Sequence, residues 1–485
     1  MSDINKLINN FFTKKKLLMD PVHSRQSMKT KTITLRSFFI SLFYVHMLLL
    51  FFQIPIRDLF LDITVWRDLV LILICIIWFI YVVAVRTFLM KPTGMDIAIL
   101  LLVFYGVINF SINIVTGSNV LEAVTYFRNH FFPFVLYFPA AYAFKNTEDQ
   151  QKFVKFLFII FIIYISTPII ESLINISGLS LSWIPWYHYA FSQGDRFEQS
   201  GGYIKAEDSP IIGLLSFPHY TVVPIIAIFA LIYPFMFTSS NKHLKTEGNN
   251  FTLINISFLK YFYIVLLIIS MLLFQVRTHL ISFFVTLFIF APPQLKRPKY
   301  IITAGIIFPL VFSLFSLLSG TSNIFAQFIN GFVSESGDDT SLSVLLSLND
   351  VRFVVQSKLF NLFFGHGYNE ISGTTFDLIA NSTGWEIKLV YYTAIYGLFW
   401  LILILSLCIF GFYYSKKSAS FFFVNSFEYN FALGFKVMMI VLLIDACHYM
   451  RMMSWPTLDM WIICLSILAV NYKKITFSQS ALISL

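Results

Sequence analysis

The sequence contains little charge. Only 12% of its 485 residues are Asp, Glu, Lys or Arg, whereas soluble globular domains carry about 25%. Because 58% of the residues are hydrophobic, the polar side chains are too few to cover a water-facing surface. These proportions exclude an ordinary soluble domain and indicate an all-α protein that lies in a lipid bilayer.

Cysteine is also scarce, with four residues in the chain. Cys75, Cys408, Cys447 and Cys464 lie in or beside apolar runs, without paired spacing and without neighbouring histidines. This pattern argues against a disulfide framework and against a zinc site. It favours cysteines that pack as small apolar side chains.

The motifs of the common soluble enzymes are missing. The chain has no Gly-rich phosphate loop with a lysine, no His-x-x-x-His pair and no Gly-x-Ser-x-Gly elbow. We therefore predict neither a nucleotide site nor a bound catalytic metal. The net charge of +9 does not indicate a nucleic-acid partner either, because the cations cluster in short segments between alternate apolar runs.

Apolar runs of bilayer length recur along the whole chain. A helix needs about 20 apolar residues to cross the hydrocarbon core, so the pattern predicts a polytopic helix bundle with about 12 transmembrane helices. The transmembrane domain would cover residues 37–472. The predicted spans are 37–55, 69–86, 96–115, 131–144, 153–174, 217–237, 258–274, 279–292, 300–318, 388–412, 434–450 and 456–472.

Positive charge sets the predicted orientation. If the tails 1–36 and 473–485 are both cytoplasmic, only ten of the 34 lysines and arginines fall in outer segments. Cytoplasmic segments are normally enriched in these residues. The polar and basic start of the chain predicts that the first span is an uncleaved signal and that no signal peptide is removed.

Two predicted outer loops are unusually long, residues 175–216 and residues 319–387. Loops of this length are usually functional or disordered. The first is rich in aromatic residues, which suits the headgroup level of a membrane. In the second, between spans nine and ten, leucines and valines recur at helical spacing over Ser341–Phe364 and Gly365 follows. This pattern predicts an amphipathic helix that ends at the glycine.

Isolated cations on the predicted outer side are candidates for an anion site. They are Arg128, Arg196, Lys205, Arg277 and Arg352. The planar fork of arginine donates two parallel hydrogen bonds to phosphate, so several converging arginines suit a pyrophosphate. Ordinary alternatives stay open: Arg277 snorkels to lipid phosphates, or Arg352 is a solvated helix charge paired with Asp350.

Four histidines also fall near the predicted outer boundary: His219, His279, His366 and His448. Imidazole changes charge near neutral pH, so each is a candidate proton carrier. A hydrogen-bonded interfacial histidine is the alternative for each of them.

Short motifs late in the chain resemble those of a known family. The segment Phe364–Asn369 (FGHGYN), the segment Gly384–Glu386 and the pair Gly397–Leu398 together resemble the O-antigen polymerase and ligase superfamily. Members of that family have many spans, a large late outer loop with an arginine on a helix, a Gly-x-Gly turn and a Gly-Leu pair in the following span. Arg352 occupies the place of the loop arginine. Glu386 stands near the place where ligases have a histidine, which favours a polymerase over a ligase.

The resemblance implies a polysaccharide polymerase of the O-antigen or capsule type, a metal-independent glycosyltransferase without a cofactor. It would join polyprenyl-pyrophosphate-linked oligosaccharide units at the outer face of the cytoplasmic membrane of a bacterium. Arg277 and Arg352 would stabilise the leaving pyrophosphate, and Glu386 would deprotonate the acceptor hydroxyl. The predicted substrate-binding residues are Arg128, Arg196, Lys205, His279, His366 and Tyr368. Tyr368 would stack on a sugar ring, or would serve in an aromatic belt at the membrane surface.

The partners implied by this resemblance are the lipid-linked oligosaccharide and the bilayer, with a chain-length regulator and a flippase as candidate protein partners. Three other functions remain open. A ligase would move finished glycan to another acceptor. A flippase or secondary transporter would place charges at the middle of its spans, where this sequence has few. A non-catalytic scaffold would tolerate alanine at Arg277, Arg352 and Glu386.

Overall fold

The computed structural model describes the following residues: 35–52, 55–56, 63–85, 92–115, 119–177, 179, 184, 218–237, 252–254, 256–274, 277–291, 358–366, 388–446, 453 and 456–483. Within these ranges every regular element is helical. The all-α fold predicted from the sequence is therefore confirmed for the part of the chain that is described.

The described ranges contain thirteen α-helices and one 3₁₀ helix. In chain order they are α1 (Leu35–Phe51), α2 (Ile63–Val85), α3 (Gly94–Val115), α4 (Val120–His130), the 3₁₀ helix Phe132–Leu136, α5 (Tyr137–Ala143), α6 (Thr147–Ile176), α7 (Pro218–Phe237), α8 (Ser257–Phe274), α9 (Arg277–Phe290), α10 (Leu359–Phe364), α11 (Lys388–Phe421), α12 (Phe427–Ala446) and α13 (Thr457–Ile483).

The outer surface of the helices is apolar. On α2 the exposed side chains recur every three or four residues along one face, and they include Trp66, Leu69, Ile76 and Phe79. Water would not solvate such a stripe, whereas lipid chains would. Five segments are long and apolar enough to cross a bilayer: Trp66–Ala84, Gly94–Val115, Thr147–Ile174, Tyr392–Phe421 and Phe427–Ala446. The chain is therefore a membrane protein with several spanning helices.

The centre of the bundle is formed by α7 and α12. Residues 223–232 of α7 are all buried, and α12 packs along them. At the crossing, Gly434 of α12 lies directly on the backbone of Leu231, and a methyl group on this glycine would overlap the Leu231 carbonyl. Small residues allow this close backbone approach, which is a usual way to pack helices in membranes.

One end of the bundle is closed by ion pairs between helix ends. Arg36 at the start of α1 pairs with Asp149 at the start of α6. Lys473 of α13 lies 2.8 Å from Asp96 at the start of α3, and Lys474 lies 3.3 Å from Glu428 at the start of α12. We call this the Arg36 end. Because α1, α3, α6 and α12 start here and α13 passes here late in its course, the neighbouring helices alternate in direction.

The opposite end, which we call the His130 end, contains the C-terminal residues of α4 and the N-terminal residues of α2, α11 and α13. Arg67 of α2 and Arg128 of α4 meet there, and Asp459 in the first turn of α13 bonds to His46 in the second half of α1. The two ends therefore share the same helices but contain different sets of polar side chains.

The predicted span 131–144 is not a single helix. The chain forms α4 before this region, and within it a 3₁₀ helix followed by α5. Proline explains the break: Pro133 has no N–H to donate, and its ring clashes with the preceding turn, so α4 stops at His130 and the next turn tightens. The sequence predicts a separate span here because the preceding helix, Val120–His130, mixes apolar residues with polar ones such as Arg128.

Other predicted boundaries moved by a few residues to a full turn or more. α11 runs to Phe421 rather than residue 412, and α13 runs to Ile483, beyond the predicted start of the tail 473–485. The tail 1–36 is described only from residue 35. The span 300–318 and most of the loops 175–216 and 319–387 lie outside the described residues. The count of about 12 spans therefore stays a prediction.

Candidate functional site

Two glycines meet where α10 docks onto α11. Gly397 interrupts α11 with φ 80° and ψ 172°, and Gly365 follows α10 with φ 86° and ψ 165°. Essentially only glycine adopts this backbone region. A methyl group on Gly397 would overlap the carbonyl of Phe363, and one on Gly365 would overlap the carbonyl of Ile395. Both positions therefore require glycine for conformation and for space.

Backbone hydrogen bonds join the two segments at this junction. The His366 N–H donates to the carbonyl of Ala394 over 2.8 Å, and the Gly365 N–H caps α10 by donating to Asn361 over 2.8 Å. The sequence prediction that Gly365 ends the loop helix is confirmed. Only the last part of the predicted helix Ser341–Phe364 is described, as α10. The junction is thus a backbone contact between the C-terminal end of α10, which falls within the second predicted loop, and the interrupted helix α11.

Polar side chains of α3 satisfy backbone carbonyls on both sides of the junction. The Tyr105 hydroxyl donates to the Tyr396 carbonyl and lies 3.4 Å from the Phe363 carbonyl. Asn109 donates through Nδ2 to the Phe364 carbonyl over 3.2 Å. Carbonyls without partners are costly in lipid, so Tyr105 compensates for the break in α11 and Asn109 satisfies the C-terminal end of α10. Neither residue is among the site residues predicted from the sequence.

An aromatic cluster covers α11 before the break. The His130 imidazole lies 5.3 Å from the ring of Tyr392 and 5.6 Å from that of Tyr396, measured between ring centroids. The Tyr392 and Tyr396 rings are stacked 6.0 Å apart. Phe131 packs edge-on against Tyr396 at 5.1 Å. The end of α4 is therefore held against the N-terminal part of α11, next to the junction.

Two arginines from different helices, Arg67 of α2 and Arg128 of α4, meet at one carboxylate. The Asp68 carboxylate accepts from Arg67 through Oδ1, with distances of 2.9 Å from Nε and 2.6 Å from Nη2. Its Oδ2 lies 3.0 Å from Nη1 of Arg128. Asn129 Oδ1 is 3.4 Å from both guanidinium groups. One carboxylate thus holds two guanidinium groups side by side, with Arg67 buried and Arg128 partly exposed.

A second polar pair is buried between the first and last helices. His46 Nε2 lies 2.9 Å from Asp459 Oδ1, and both side chains are almost fully excluded from solvent. The sequence analysis assigned no role to either residue. The sequence shows only an Asp in the first turn of one apolar run and a His within another. That the two side chains pair is seen only in the folded chain.

The described structure covers two of the predicted site residues completely, Arg128 and His366. Both lie at the His130 end, Arg128 beside Asp68 and His366 at the junction, where its Nδ1 lies 3.1 Å from Asn361 Nδ2. Arg277 and His279 are in the first turn of α9, and their side chains are not among the described ones. The other predicted site residues lie outside the described residues: Arg196, Lys205, Arg352, Tyr368 and Glu386.

Arg67, Asp68 and Asn129 were missed as site residues. The signal was present, since Arg67-Asp68 opens one apolar run and Arg128-Asn129 precedes another. The sequence does not show that these two segments lie side by side in the fold. Among the described residues, no group of three His, Cys, Asp or Glu side chains is arranged to hold a metal ion.

Comparison with known proteins identifies no relative. The chain matches no protein-family model, no curated protein and no solved structure. The interpretation of the site therefore depends on its residues and their geometry.

Proposed function

We propose that this chain is a polysaccharide polymerase, a metal-independent membrane glycosyltransferase of the O-antigen polymerase type. It lies in the cytoplasmic membrane of a bacterium with both termini inside and about 12 spans. Its substrate is an oligosaccharide on polyprenyl pyrophosphate, presented at the outer face. The reaction transfers the growing glycan from its pyrophosphate to a sugar hydroxyl of another lipid-linked unit.

The observation that carries this proposal is the contact between Gly365 and Gly397. The two positions belong to the separate motifs that resemble the O-antigen polymerase superfamily, the Gly-x-Gly turn and the Gly-Leu pair. In the fold the two motifs meet backbone to backbone. Backbone strain of this kind clusters at functional sites. A contact that depends on both glycines supports a shared role for the two motifs.

The proposed chemistry uses residues of the segments that lead into this junction, together with Arg277. Glu386 precedes the first residue of α11 by two positions and is the proposed base for the acceptor hydroxyl. Arg352 lies in the segment leading to α10, and Arg277 begins α9. These arginines stabilise negative charge as the pyrophosphate leaves. His366 sits at the junction itself and is proposed to contact the glycan.

A second candidate function is a carrier that flips lipid-linked oligosaccharides. The observation in its favour is the buried His46–Asp459 pair, because ionisable pairs inside a membrane bundle often serve proton-coupled transport. A ligase that uses the same junction with another acceptor is a variant of the main proposal.

The experiment is a complementation test in cells that lack this gene, with the length of surface polysaccharide read on a gel. Arg277→Ala, Arg352→Ala and Glu386→Gln are expected to give single-repeat product with normal protein levels. Lys152→Gln, which changes an exposed pair with Glu148, is the control and should give full ladders. Full ladders from all three site variants would remove the proposed catalytic residues.

An assay with purified protein separates the candidates. Incubated with lipid-linked repeat units, a polymerase lengthens the glycan and releases polyprenyl pyrophosphate in detergent, where no membrane has to be crossed. A carrier leaves the units unchanged in detergent and moves them only across sealed vesicles. A ligase gives a product only when a second acceptor lipid is added.

A further inference from the structure

We propose that Lys436 binds a phosphate group inside the membrane, in a water-filled crevice along α12 that opens at the Arg36 end. The proposal does not depend on the polymerase function, since the crevice opens at the end of the bundle opposite to the α10–α11 junction. A phosphate group can come from soluble phosphate or from a phospholipid headgroup, and the two sources are distinguished by experiment.

Lys436 lies in the middle of a spanning helix. The predicted span 434–450 has this lysine near its start, whereas α12 runs from Phe427 to Ala446 and is apolar enough to cross a bilayer. At 1.5 Å per residue, Lys436 is about 14 Å from either end of the helix. A charged side chain at this depth is rare in membrane proteins, and it usually marks a functional site.

The other residues of α12 are shielded from the surroundings. Within α12, all of which is described, Lys436 is the only exposed residue. Most of the half-buried residues form one narrow stripe with it, since Tyr429, Leu433, Ile440 and Leu443 recur at intervals of three or four. The helix packs against α6, α7, α9, α11 and α13. The stripe is therefore a crevice between neighbouring helices, with a lysine at its centre.

This stripe differs from a lipid-facing surface. On α2 the large apolar side chains of one face are exposed, and the exposed fraction reaches 68% at Phe79. On α12, which is described throughout, no large apolar side chain is exposed, and Leu433 and Ile440 beside the lysine are half-buried. An ammonium group in such a crevice retains its charge only with water or a counter-ion.

No side chain compensates the charge of Lys436 within the described part of the chain. Arg36, Lys473 and Lys474 each pair with a carboxylate, whereas the ammonium group of Lys436 forms neither an ion pair nor a hydrogen bond there. An ammonium group has three N–H donors and no acceptor. A phosphate group offers several acceptor oxygens, and lysine binds it as a point charge. A bound phosphate group would therefore supply both the charge and the acceptors.

Helix geometry directs the lysine toward the Arg36 end. Side chains on a helix lean toward its N-terminus, and α12 begins at the Arg36 end, where Glu428 lies 3.3 Å from Lys474. Tyr429 is two turns before Lys436 on the same stripe and places a polar group near the mouth of the crevice. A phosphate group would therefore enter from the Arg36 end, which the distribution of positive charge predicts to be cytoplasmic.

The alternative is a lysine that extends through lipid to the headgroups. The stripe would then face hydrocarbon instead of water. Cysteine reactivity separates the two interpretations, because a thiol reacts with a charged methanethiosulfonate as the thiolate, which forms in water and not in hydrocarbon. Phe79, which is exposed on α2, provides the control for a position that faces lipid.

The first measurement is the rate at which sulfonatoethyl methanethiosulfonate labels single cysteine variants of the full chain in lipid nanodiscs, with the wild type as background. Lys436→Cys and Leu433→Cys are expected to react at least about tenfold faster than Phe79→Cys. Leu443→Cys, on the same stripe toward the His130 end, should react slowly. If Lys436→Cys reacts no faster than Phe79→Cys, or Leu443→Cys reacts faster than Leu433→Cys, the proposed crevice is wrong.

Thermal melting then tests for the bound phosphate group. Without phosphate, in phosphatidylcholine nanodiscs, Lys436→Met should be at least as stable as the wild type, because an unpaired charge leaves the membrane. Sodium phosphate, compared with sodium chloride at equal ionic strength, should raise the melting temperature of the wild type by about 2 °C and leave that of Lys436→Met unchanged. Lys417→Met removes an exposed lysine of α11 at the same end, and this matched control should respond as the wild type does.

Phosphatidylglycerol in the nanodisc distinguishes the two sources. Stabilisation of the wild type by soluble phosphate, absent in Lys436→Met, assigns the site to phosphate from water. Stabilisation by phosphatidylglycerol alone, also absent in Lys436→Met, assigns it to a phospholipid headgroup. If neither ligand stabilises the wild type, or both variants respond equally, the site is wrong. No glycan transfer is measured, so the outcome is independent of the proposed polymerase function.

Discussion

The two ends of the bundle use the same kinds of charged residue in different ways. At the Arg36 end the cation and the carboxylate of each pair come from different helices, as in Lys473 with Asp96 and Lys474 with Glu428. At the His130 end two arginines share Asp68, and α11 is broken at Gly397. The first arrangement ties different helices together, and the second combines a shared carboxylate with an interrupted backbone.

The cost of each arrangement differs as well. Ion pairs between helix ends add modest stability and demand no unusual backbone. A broken helix in lipid needs partners for its carbonyls, and here the Tyr105 hydroxyl donates to the Tyr396 carbonyl just before the break. A protein that keeps such a feature sacrifices stability at that place, as functional sites commonly do. From this difference we predict a structural role for the Arg36 end and a functional role for the His130 end, and four measurements test that prediction.

The largest effect is expected at the buried His46–Asp459 pair. His46→Leu removes the imidazole from an Asp459 carboxylate that is almost fully buried. Breaking a buried pair from one side costs about 3–5 kcal/mol. Thermal unfolding followed by tryptophan fluorescence in detergent should show a large drop in melting temperature.

The double variant His46→Leu with Asp459→Leu is the matched control. Replacing both partners by apolar groups is often nearly neutral, so we expect most of the lost stability to return. If the double variant is stable and still supports full polysaccharide ladders, the pair is structural and the carrier function loses its support. If the double variant is stable but no longer transports lipid-linked oligosaccharide, the carrier function gains support.

The next effect is expected at the junction, through Gly397→Ala. The position has a positive φ, and the added methyl group overlaps the Phe363 carbonyl. The strain is expected to cost about 2–3 kcal/mol or to detach α10 from α11. Only short polysaccharide products should be made, and proteolysis in the segment 358–366 should become faster.

Gly411→Ala tests whether any glycine of α11 behaves this way. Its methyl group would approach only the tip of the Phe435 ring, at 3.3 Å from Cε1, and the end of the Leu465 side chain. Alanine also favours a helix more than glycine does. We expect near wild-type stability and full polysaccharide ladders. If Gly411→Ala shortened the polysaccharide as much as Gly397→Ala does, α11 would be sensitive to substitution in general.

A smaller effect is expected at the Arg36 end, through Lys473→Met. The Asp96 carboxylate would lose Lys473 but retain hydrogen bonds from the Tyr137 hydroxyl at 2.8 Å and the Thr93 N–H at 2.7 Å. The loss should be about 1–2 kcal/mol, seen as a lower melting temperature with unchanged polysaccharide length. Shortened ladders at equal protein level would contradict the division of roles between the two ends.

Much of the helical fold could be predicted from the sequence because apolar runs determine it locally. The helices α3, α7 and α8 begin and end within two residues of their predicted spans. The prediction failed where local rules compete. The amphipathic helix Val120–His130 precedes the 3₁₀ helix and α5, and it was not predicted because its composition is mixed. Proline at position 133 was the visible signal for that break.

The candidate site was less predictable, since it depends on contacts between distant segments. Gly365 was correctly expected to end a helix, because a glycine after an apolar periodic run is a local signal. The contact of Gly365 with Gly397, the sharing of Asp68 by two arginines and the pairing of His46 with Asp459 join residues far apart in sequence. No periodicity specifies such pairs, and only the packed helices bring them together.

The smallest effect is expected at the side-chain contact within the junction, through Asn361→Ala. The change removes the amide that lies 3.1 Å from His366 Nδ1. The backbone bonds from the Gly365 and His366 N–H groups remain, so α10 should stay docked and the loss should be about 0.5–1.5 kcal/mol. Ser406→Ala, which removes an exposed hydroxyl from the same helix α11, is the control for a small polar deletion.

Polysaccharide length and melting temperature then separate two ways of holding the junction. If backbone geometry holds it, Asn361→Ala lowers the melting temperature slightly, and it shortens the ladders modestly only if the orientation of His366 matters to the glycan. If the side chain holds it, Asn361→Ala should be as severe as Gly397→Ala. The second result would assign the functional role to the Asn361–His366 pair instead of the two glycines. The two sequence motifs would then not act through their backbone contact.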